Sequence, residues 1–373
     1  MFSFAKLTLA LACVASAASA AALTIGSDVA FTFSANTTTT QVINAQDPNA
    51  AYIALHFSSL NLPDGATLEL TTPDGIDSVT LTGQADGPFY AESLRGSSVV
   101  LTYTAPDEEI ARDVVAFGID KFAQGFPETG DIEAICGTDE SQPSVCYKAD
   151  RPTEYSLSQA VARLSIQAKS LCTAWLLGSE GHLITNNHCI KNADDAANIQ
   201  VEFEAECASC SDPDNDVKKG CKGTIVATSS TFIKTNPMLD YTLVKLKVKP
   251  GVNLAKYGYL QAREAGPTLD ETIWIPQHPK GKPTRMAFLD DGALGTVNSL
   301  AFDSACKPNE MGHNLDTDHG ASGSPVLSAS DMKVVALHNC GGCDDTSGMN
   351  GAIPMDKIIA ELRAARVLPR NAV

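Results

Sequence analysis

Short β-type runs recur along almost the whole chain, and they constrain its fold more than any other feature. They include AYIALHF, ATLEL and SSVVLTY in the first third, and CTAWLLG, HLITNNH and YTLVKLKV from about residue 161 onward. Asp-Gly dipeptides, which favour tight turns, separate the early runs. Only PMDKIIAELRAA near the C-terminus has the pattern of a helix. The sequence therefore predicts an all-β protein with a C-terminal helix.

The character of the chain changes along its 373 residues, which exceed the usual length of one domain. Residues 1–20 combine a lysine, an apolar run and the small-residue end Ala18-Ser19-Ala20, a pattern typical of a cleaved secretory signal. We expect residues 21–125 to form a β-sandwich domain, residues 126–160 to be a connector, and residues 161–368 to form a second β domain. No later segment is long and apolar enough to span a membrane. A secreted, extracellular protein is expected.

The overall charge excludes two classes of partner. The formal net charge is -17, with an isoelectric point near 4.7, while 44% of the residues are apolar. Such an acidic chain is not expected to bind nucleic acid or anionic membranes. The apolar fraction is sufficient for a packed core.

The N-terminal domain has no clustered histidine, lysine or cysteine, so we expect no catalytic site in it. It is interpreted as a folding or docking module. The alternative is a domain that contacts glycans or the extracellular matrix. In a eukaryotic host, Asn36-Thr37-Thr38 would be an acceptor for N-glycosylation.

Ten cysteines remain once Cys13 leaves with the signal, and an even number in an exported chain indicates disulfides. Two pairs have Cys-x-x-Cys spacing: Cys207/Cys210 and Cys340/Cys343. Four such thiolates are also the ligand set of a zinc site, which is the alternative. Because the chain is exported, we favour disulfides and expect no metal and no cofactor. Cys136 and Cys146 are expected to tie the connector to the second domain.

Three residues of the second domain have the chemistry that acyl transfer requires: a base, an orienting acid and a nucleophile. His188 follows an apolar run and is the expected base. Asp240 stands within the apolar segment PMLDYTLVKL, where a carboxylate needs a strong partner such as a histidine N–H. Ser322 has Gly320 two residues before it and Gly323 directly after it. Glycines there let the backbone turn sharply, so the N–H groups of Gly320 and Ser322 are the expected oxyanion donors.

Cys189 directly follows the proposed base, and Cys172 lies seventeen residues earlier. A disulfide between them would close this loop and restrain the imidazole.

The segments ITNNHC, LDYTL and GASGSP resemble, in this order, the catalytic blocks of trypsin-like serine proteases of the chymotrypsin clan. The SGSP sequence is most similar to that of secreted lysyl and glutamyl endopeptidases. The resemblance covers about residues 161–366. It implies a chymotrypsin-like double β-barrel with its triad between the barrels, and protein or peptide substrates. It also implies a secreted serine endopeptidase.

Ala321 departs from the pattern of trypsin-like zymogens. Those proteins carry an aspartate just before the nucleophile, and this aspartate pairs with a freed N-terminus. Because alanine has no charge to pair, activation through that ion pair is not expected.

Three further residues bear on substrate binding. Asp316, six residues before Ser322, matches the base of the trypsin specificity pocket and would favour Lys or Arg at P1, the residue before the cleaved bond. The same aspartate is alternatively a structural residue of its loop. His338 matches a pocket histidine of glutamyl and lysyl endopeptidases and, if protonated, would favour an acidic P1. Gly341 is expected on the edge where the substrate backbone pairs. We favour cleavage after Lys or Arg.

Two other functions compete with that of a protease. One is a catalytically silent homologue that acts as a secreted inhibitor or binding protein. The other is a binding protein whose functional part is the N-terminal domain.

Overall fold

The computed structural model describes residues 22–105, 115–127, 135–343 and 348–373. The expected signal segment lies outside the described residues. As expected, the fold is nearly all-β, and three short α-helices complete the regular structure.

The N-terminal part is a sandwich of two antiparallel sheets. Its strands are β2 (Gly26–Ala35), β3 (Thr39–Asn44), β4 (Tyr52–Leu60), β5 (Thr67–Thr71), β6 (Ser78–Leu81), β7 (Phe89–Tyr90), β8 (Leu94–Arg95), β9 (Ser98–Thr104) and β10 (Phe117–Gly125), and they are preceded by β1 (Leu23–Thr24), which belongs to a sheet described below. One sheet has the order β2-β10-β4-β7 with β8 beside β4, and the other has the order β3-β9-β5-β6. Their inner faces share one apolar core, in which the rings of Tyr103 and Phe117 meet edge to face at 5.5 Å.

The range expected to be a connector is partly structured. It contains β11 (Gln142–Pro143) and α1 (Pro152–Ser158), with Pro152 at the first helical position. β11 pairs with a strand of the second sheet described below, so this segment is built into the C-terminal part. Short 3-10 turns occur at Ser144–Tyr147, Pro213–Asp216, Leu254–Tyr257 and Pro279–Gly281.

The C-terminal part contains two eight-stranded sheets. The first is built from β12 (Val161–Ile166), β13 (Ser170–Leu176), β14 (His182–Thr185), β15 (Ile199–Phe203), β16 (Thr224–Ala227), β17 (Ser230–Asn236) and β18 (Tyr241–Leu246), with α2 (Ala193–Ala197) between β14 and β15. Its order is β16-β15-β12-β13-β14-β18-β17. β1 is its eighth strand and pairs with the start of β13, Leu23 opposite Leu171. The N-terminal segment is therefore part of the first sheet.

The second sheet has the order β11-β20-β19-β25-β26-β27-β24-β23. Its further strands are β19 (Ile273–Gln277), β20 (Arg285–Ala287), β23 (Val297–Phe302), β24 (Glu310–His313), β25 (Pro325–Ser328), β26 (Val334–Cys340) and β27 (Asn350–Pro354), and a separate hairpin is formed by β21 (Leu289–Asp290) and β22 (Ala293–Leu294). The helix expected near the C-terminus is α3 (Met355–Ala364). Its apolar face packs into a core shared by both sheets, which includes Trp175, Trp274 and Ile358.

Five disulfides join all ten cysteines of the described residues: Cys136–Cys343, Cys146–Cys210, Cys172–Cys189, Cys207–Cys221 and Cys306–Cys340. Both Cys-x-x-Cys pairs are split between different disulfides. All four of these sulfur atoms are bonded in disulfides, as favoured in the sequence analysis. The bonds of Cys136 and Cys146 tie the connector range to the C-terminal part, as expected.

The described residues include no helix that is long and apolar enough to cross a bilayer.

Candidate active site

His188 and Asp240 lie in two loops of the first sheet and are joined by two hydrogen bonds. His188 follows β14, and Asp240 directly precedes β18, the neighbour of β14 in the sheet. The Nδ1 atom of His188 lies 2.8 Å from Asp240 Oδ2, and the backbone N–H of His188 donates to Asp240 Oδ1 at 3.0 Å. Both side chains are buried. The carboxylate therefore fixes the imidazole and favours the tautomer with its proton on Nδ1.

Asp240 is held in an unusual backbone conformation. Its φ angle is +40°, in the left-handed region that most residues avoid. The side-chain amide of Asn186 donates to the Asp240 carbonyl at 2.9 Å and supports this conformation. Asn186 lies two residues before His188. The loop that carries His188 therefore also holds the backbone of Asp240.

The second imidazole nitrogen of His188 has no hydrogen-bond partner among the described residues, although it is buried. Because Nδ1 carries a proton and donates it in the hydrogen bond to Asp240, Nε2 has a free lone pair. Nε2 can therefore accept a proton.

Ser322 lies in a tight turn next to the histidine loop. Its carbonyl oxygen is 3.9 Å from Sγ of Cys189, the residue that follows His188. Gly320 and Gly323 have φ angles of +95° and +91°. A Cβ atom on Gly323 would lie 2.1 Å from the Thr173 carbonyl oxygen, so only glycine fits there. Ser322 itself is partly exposed.

Thr173, on β13, holds the turn around Ser322, and the sequence analysis missed it. Its N–H donates to the Ser322 carbonyl at 2.8 Å, and its hydroxyl donates to the Gly320 carbonyl at 2.9 Å. The same hydroxyl accepts the N–H of His278 at 3.0 Å. Thr173 is fully buried. A single threonine in a β-type run gives no sequence signal of this role.

The orientation of the peptide bond before Gly320 is fixed by a hydrogen bond to its carbonyl oxygen. The N–H of Lys280 donates to the carbonyl of His319 at 2.5 Å, which turns this oxygen toward Lys280. Because the peptide is trans, the N–H of Gly320 points the opposite way. Within the described part of the chain, the N–H groups of Gly320 and Ser322 make no hydrogen bond.

Ala321 has no ion-pair role in the turn. Its N–H donates to the Asp318 carbonyl at 2.9 Å, and its own carbonyl accepts from both the N–H and the hydroxyl of Ser324. These bonds shape the turn without any charged group at position 321.

The disulfide Cys172–Cys189 has an S–S distance of 1.96 Å and connects β13 to the histidine loop. Thr173 is the next residue of β13. Adjacent positions of this strand therefore contact the loop of His188, through the disulfide, and the turn of Ser322, through hydrogen bonds.

Asp316 lies on the side of its loop that faces the connector range. Its Oδ2 accepts the N–H of Glu140 at 2.7 Å, while Oδ1 is buried and without a partner among the described residues. Burial raises the pKa of Asp316 to about 7, against the hydrogen bond from Glu140. One carboxylate oxygen thus has a structural role.

His338 lies on β26 and is buried against a second histidine, His313, which the sequence analysis did not single out. The Nδ1 atom of His338 lies 3.3 Å from Nε2 of His313. Burial lowers the pKa of His338 well below its usual value, and the nearby His313 and His188 lower it further. His338 is therefore neutral at physiological pH. Gly341 is exposed just beyond the end of β26.

Comparisons with known proteins agree with this architecture. The family profile described as trypsin-like peptidase domain matches residues 172–337. Secreted RxLR effector protein 73 of Plasmopara viticola is 38% identical over 340 residues, which are 87% of this chain and 82% of that protein. The uncharacterized protein y4fB of Sinorhizobium fredii (strain NBRC 101917 / NGR234) is 26% identical over 228 residues, 58% of this chain and 33% of that protein.

Among solved structures, the HtrA-type protease AlgW with tripeptide aligns with 56% of this chain and 60% of its own, at 18% identity and a TM-score of 0.39. The identity with the Plasmopara viticola protein extends over most of both chains. This protein therefore belongs to the same family as secreted RxLR effector protein 73, and its C-terminal part carries a trypsin-like peptidase domain.

Proposed function

We propose that the protein is a secreted serine endopeptidase with His188, Asp240 and Ser322 as its catalytic triad. One observation carries the proposal: Asp240 forms two hydrogen bonds with His188, while the other imidazole nitrogen stays unpaired, and the residue after His188 contacts the turn of Ser322. A general base of this kind needs one imidazole nitrogen oriented by an acid and the other free to accept a proton.

In the proposed mechanism, the Oγ of Ser322 attacks the carbonyl carbon of the peptide bond and transfers its proton to Nε2 of His188. Asp240 stabilises the imidazolium that forms. The N–H groups of Gly320 and Ser322 donate to the oxygen on which negative charge develops. His188 then protonates the departing amine, which leaves an acyl-enzyme on Ser322. Water, deprotonated by the same imidazole, releases the acid and restores the serine.

Export is supported by chemistry as well as by the expected signal. Five disulfides are typical of proteins that fold in an oxidising compartment. A relative in the same family is named as a secreted effector. Both observations support an extracellular site of action.

For P1 preference, we propose cleavage after Lys or Arg. The support is the free Oδ1 of Asp316, a buried acceptor that a substrate cation could neutralise. The bond from Glu140 to Oδ2 supports the structural alternative. A glutamyl preference has less support, because a neutral His338 offers no positive charge to an acidic P1 side chain.

A fluorophosphonate probe tests the triad directly, because it labels only an activated serine. The full exported chain should be labelled at Ser322, and Ser322→Ala should abolish both labelling and turnover. Ser330→Ala is the matched control, since Ser330 is exposed on the same segment and lacks the flanking glycines. A folded protein without an adduct at Ser322 would instead identify a silent homologue.

A peptide library varied only at P1 tests the preference. Cleavage after Lys and Arg should dominate, and Asp316→Asn should weaken it relative to cleavage after neutral residues. Dominant cleavage after Glu would refute the role of Asp316 without affecting the triad.

A further inference from the structure

A cavity lies between the N-terminal sandwich and the first sheet of the C-terminal part. Its volume is about 250 Å³. We call it the cationic cavity, because five of its lining residues carry positive charge: Arg95, Arg163, Lys218, Lys219 and Lys222. Only two carboxylates, Asp77 and Glu202, also line it. This surplus of positive charge contrasts with the net charge of -17 for the whole chain.

The two carboxylates are already engaged. Glu202 binds the guanidinium of Arg163 at 2.9 Å, deep in the wall of the cavity. Asp77 binds Lys222 at 3.1 Å. Asp214, near the rim, lies 4.0 Å from Arg95, at the limit of an ion pair. These carboxylates pair with Arg163, Lys222 and Arg95, and none of them forms an ion pair with Lys219.

Lys219 is the cation with the least compensation. Its ammonium donates to the hydroxyl of Ser93 and lies 4.5 Å above the ring of Tyr52. Both partners are uncharged, and no carboxylate of the described residues forms an ion pair with Lys219. Burial lowers the pKa of this lysine to about 8, and the positive charges of Arg163, Arg95 and Lys222 lower it further, against the attraction of Glu202.

The neighbouring groups favour an anion over a neutral ligand. Lys219, Arg95 and the hydroxyl of Ser93 come from both walls of the cavity, and each can donate to an oxygen atom. Charged donors of this kind make their strongest hydrogen bonds to oxyanions, and a dianion would offset most of the positive surplus. The volume accommodates a tetrahedral group with a small attached moiety but not a polymer.

We propose that the cationic cavity is a binding site for a small ligand with a tetrahedral oxyanion, a phosphate or a sulfate group. The ligand would contact the sandwich through Ser93 and Arg95 and, through Lys219, the loop that joins β15 to β16 of the first sheet, and would stabilise their association. This site is independent of the proposed triad.

The test uses the full mature chain and two probes, inorganic phosphate and sulfate, at constant ionic strength adjusted with sodium chloride. Isothermal titration calorimetry should give saturable one-site binding, and the melting temperature should rise with the concentration of either probe. Acetate, a carboxylate of single charge, should have a much smaller effect. Comparison of the two probes distinguishes a phosphate from a sulfate ligand.

Lys219→Met keeps the aliphatic stem over Tyr52 and should weaken binding at least tenfold. Arg95→Met should also weaken binding. Because Arg95 is more exposed, this variant replaces Lys219→Met in the test if Lys219→Met does not fold. Lys256→Met is the matched control, because Lys256 pairs with Glu204 and does not line the cavity. Equal effects of phosphate, sulfate and chloride on the wild type would overturn the proposal, as would unchanged affinity in Lys219→Met and Arg95→Met.

Discussion

Replacement of Thr173 by valine tests whether one hydroxyl positions the nucleophile turn. Valine has nearly the same shape as threonine, so the change removes two hydrogen bonds with little effect on packing. It leaves the carbonyl of Gly320 and the N–H of His278 buried without their partner. An unsatisfied buried group costs about 1–3 kcal/mol, so the two together should lower the free energy of unfolding by about 2–6 kcal/mol.

The effect on catalysis follows from the same contacts. The carbonyl of Gly320 belongs to the turn that carries both oxyanion donors, and a displacement of about 1 Å there can cost about 10²-fold in rate. We expect Thr173→Val to lower kcat/KM by about 10- to 100-fold, mainly through kcat, because substrate binding elsewhere is untouched.

Two quantities are measured for the valine and serine variants. The free energy of unfolding is obtained in urea with the disulfides intact, and kcat from hydrolysis of a chromogenic peptide. Thr173→Ser keeps the hydroxyl and loses only a methyl group, so it should cost about 1 kcal/mol and little activity. If the valine and serine variants match in stability and in kcat, the hydroxyl does not position the turn and the reasoning is refuted.

Three other predictions follow from the site. Asp240→Asn should lower kcat by about 10⁴-fold, because an amide can no longer hold His188 in the required tautomer; loss of less than tenfold would contradict its role. The carboxyl of Asp316, with a pKa raised to about 7, gains its charge as the pH rises. The ratio of kcat/KM for a Lys substrate to that for a Leu substrate should therefore increase from pH 6 to 8, and a flat ratio would favour a structural Asp316. Gly323→Ala should prevent folding or lower the melting temperature strongly, since its Cβ would lie 2.1 Å from the Thr173 carbonyl; a wild-type melting curve would contradict this.

The β-rich fold was accessible from the sequence because its signals are local. Alternating runs and turn dipeptides determine strands within a few residues. The pairing of His188 with Asp240 was accessible for a different reason. An aspartate inside an apolar run needs a partner, and the resemblance to three catalytic blocks supplied a histidine.

Other features depend on contacts between distant segments, which one sequence does not display. The N–H that binds Asp316 comes from Glu140, 176 residues away, through a connector segment expected to be separate from the second domain. Cys207 and Cys210 have the spacing of a zinc pair, but Cys207 bonds to Cys221 and Cys210 to Cys146. Spacing alone does not distinguish these outcomes, because the partner of each cysteine comes from another part of the chain.

Three consecutive residues at the start of β13 connect the parts of the molecule. Leu171 pairs with Leu23 of the N-terminal segment and lines the cationic cavity. Cys172 bonds to Cys189 beside the base, and Thr173 holds the turn of Ser322. Because neighbouring residues of a paired strand cannot move independently, we expect a shift of the N-terminal segment to displace the loops of both His188 and Ser322.

A second connection runs through the turn at Gly281. The carbonyl of this residue accepts the N–H of Lys219 at 2.8 Å and the guanidinium of Arg163 at 3.0 Å, both in the wall of the cavity. The adjacent Lys280 orients the carbonyl of His319 and, with it, the N–H of Gly320. The turn at Gly281 therefore connects the wall of the cationic cavity with the turn of Ser322. The N-terminal segment is joined to the first sheet through β1, which pairs with β13, and β13 in turn contacts the loops of His188 and Ser322.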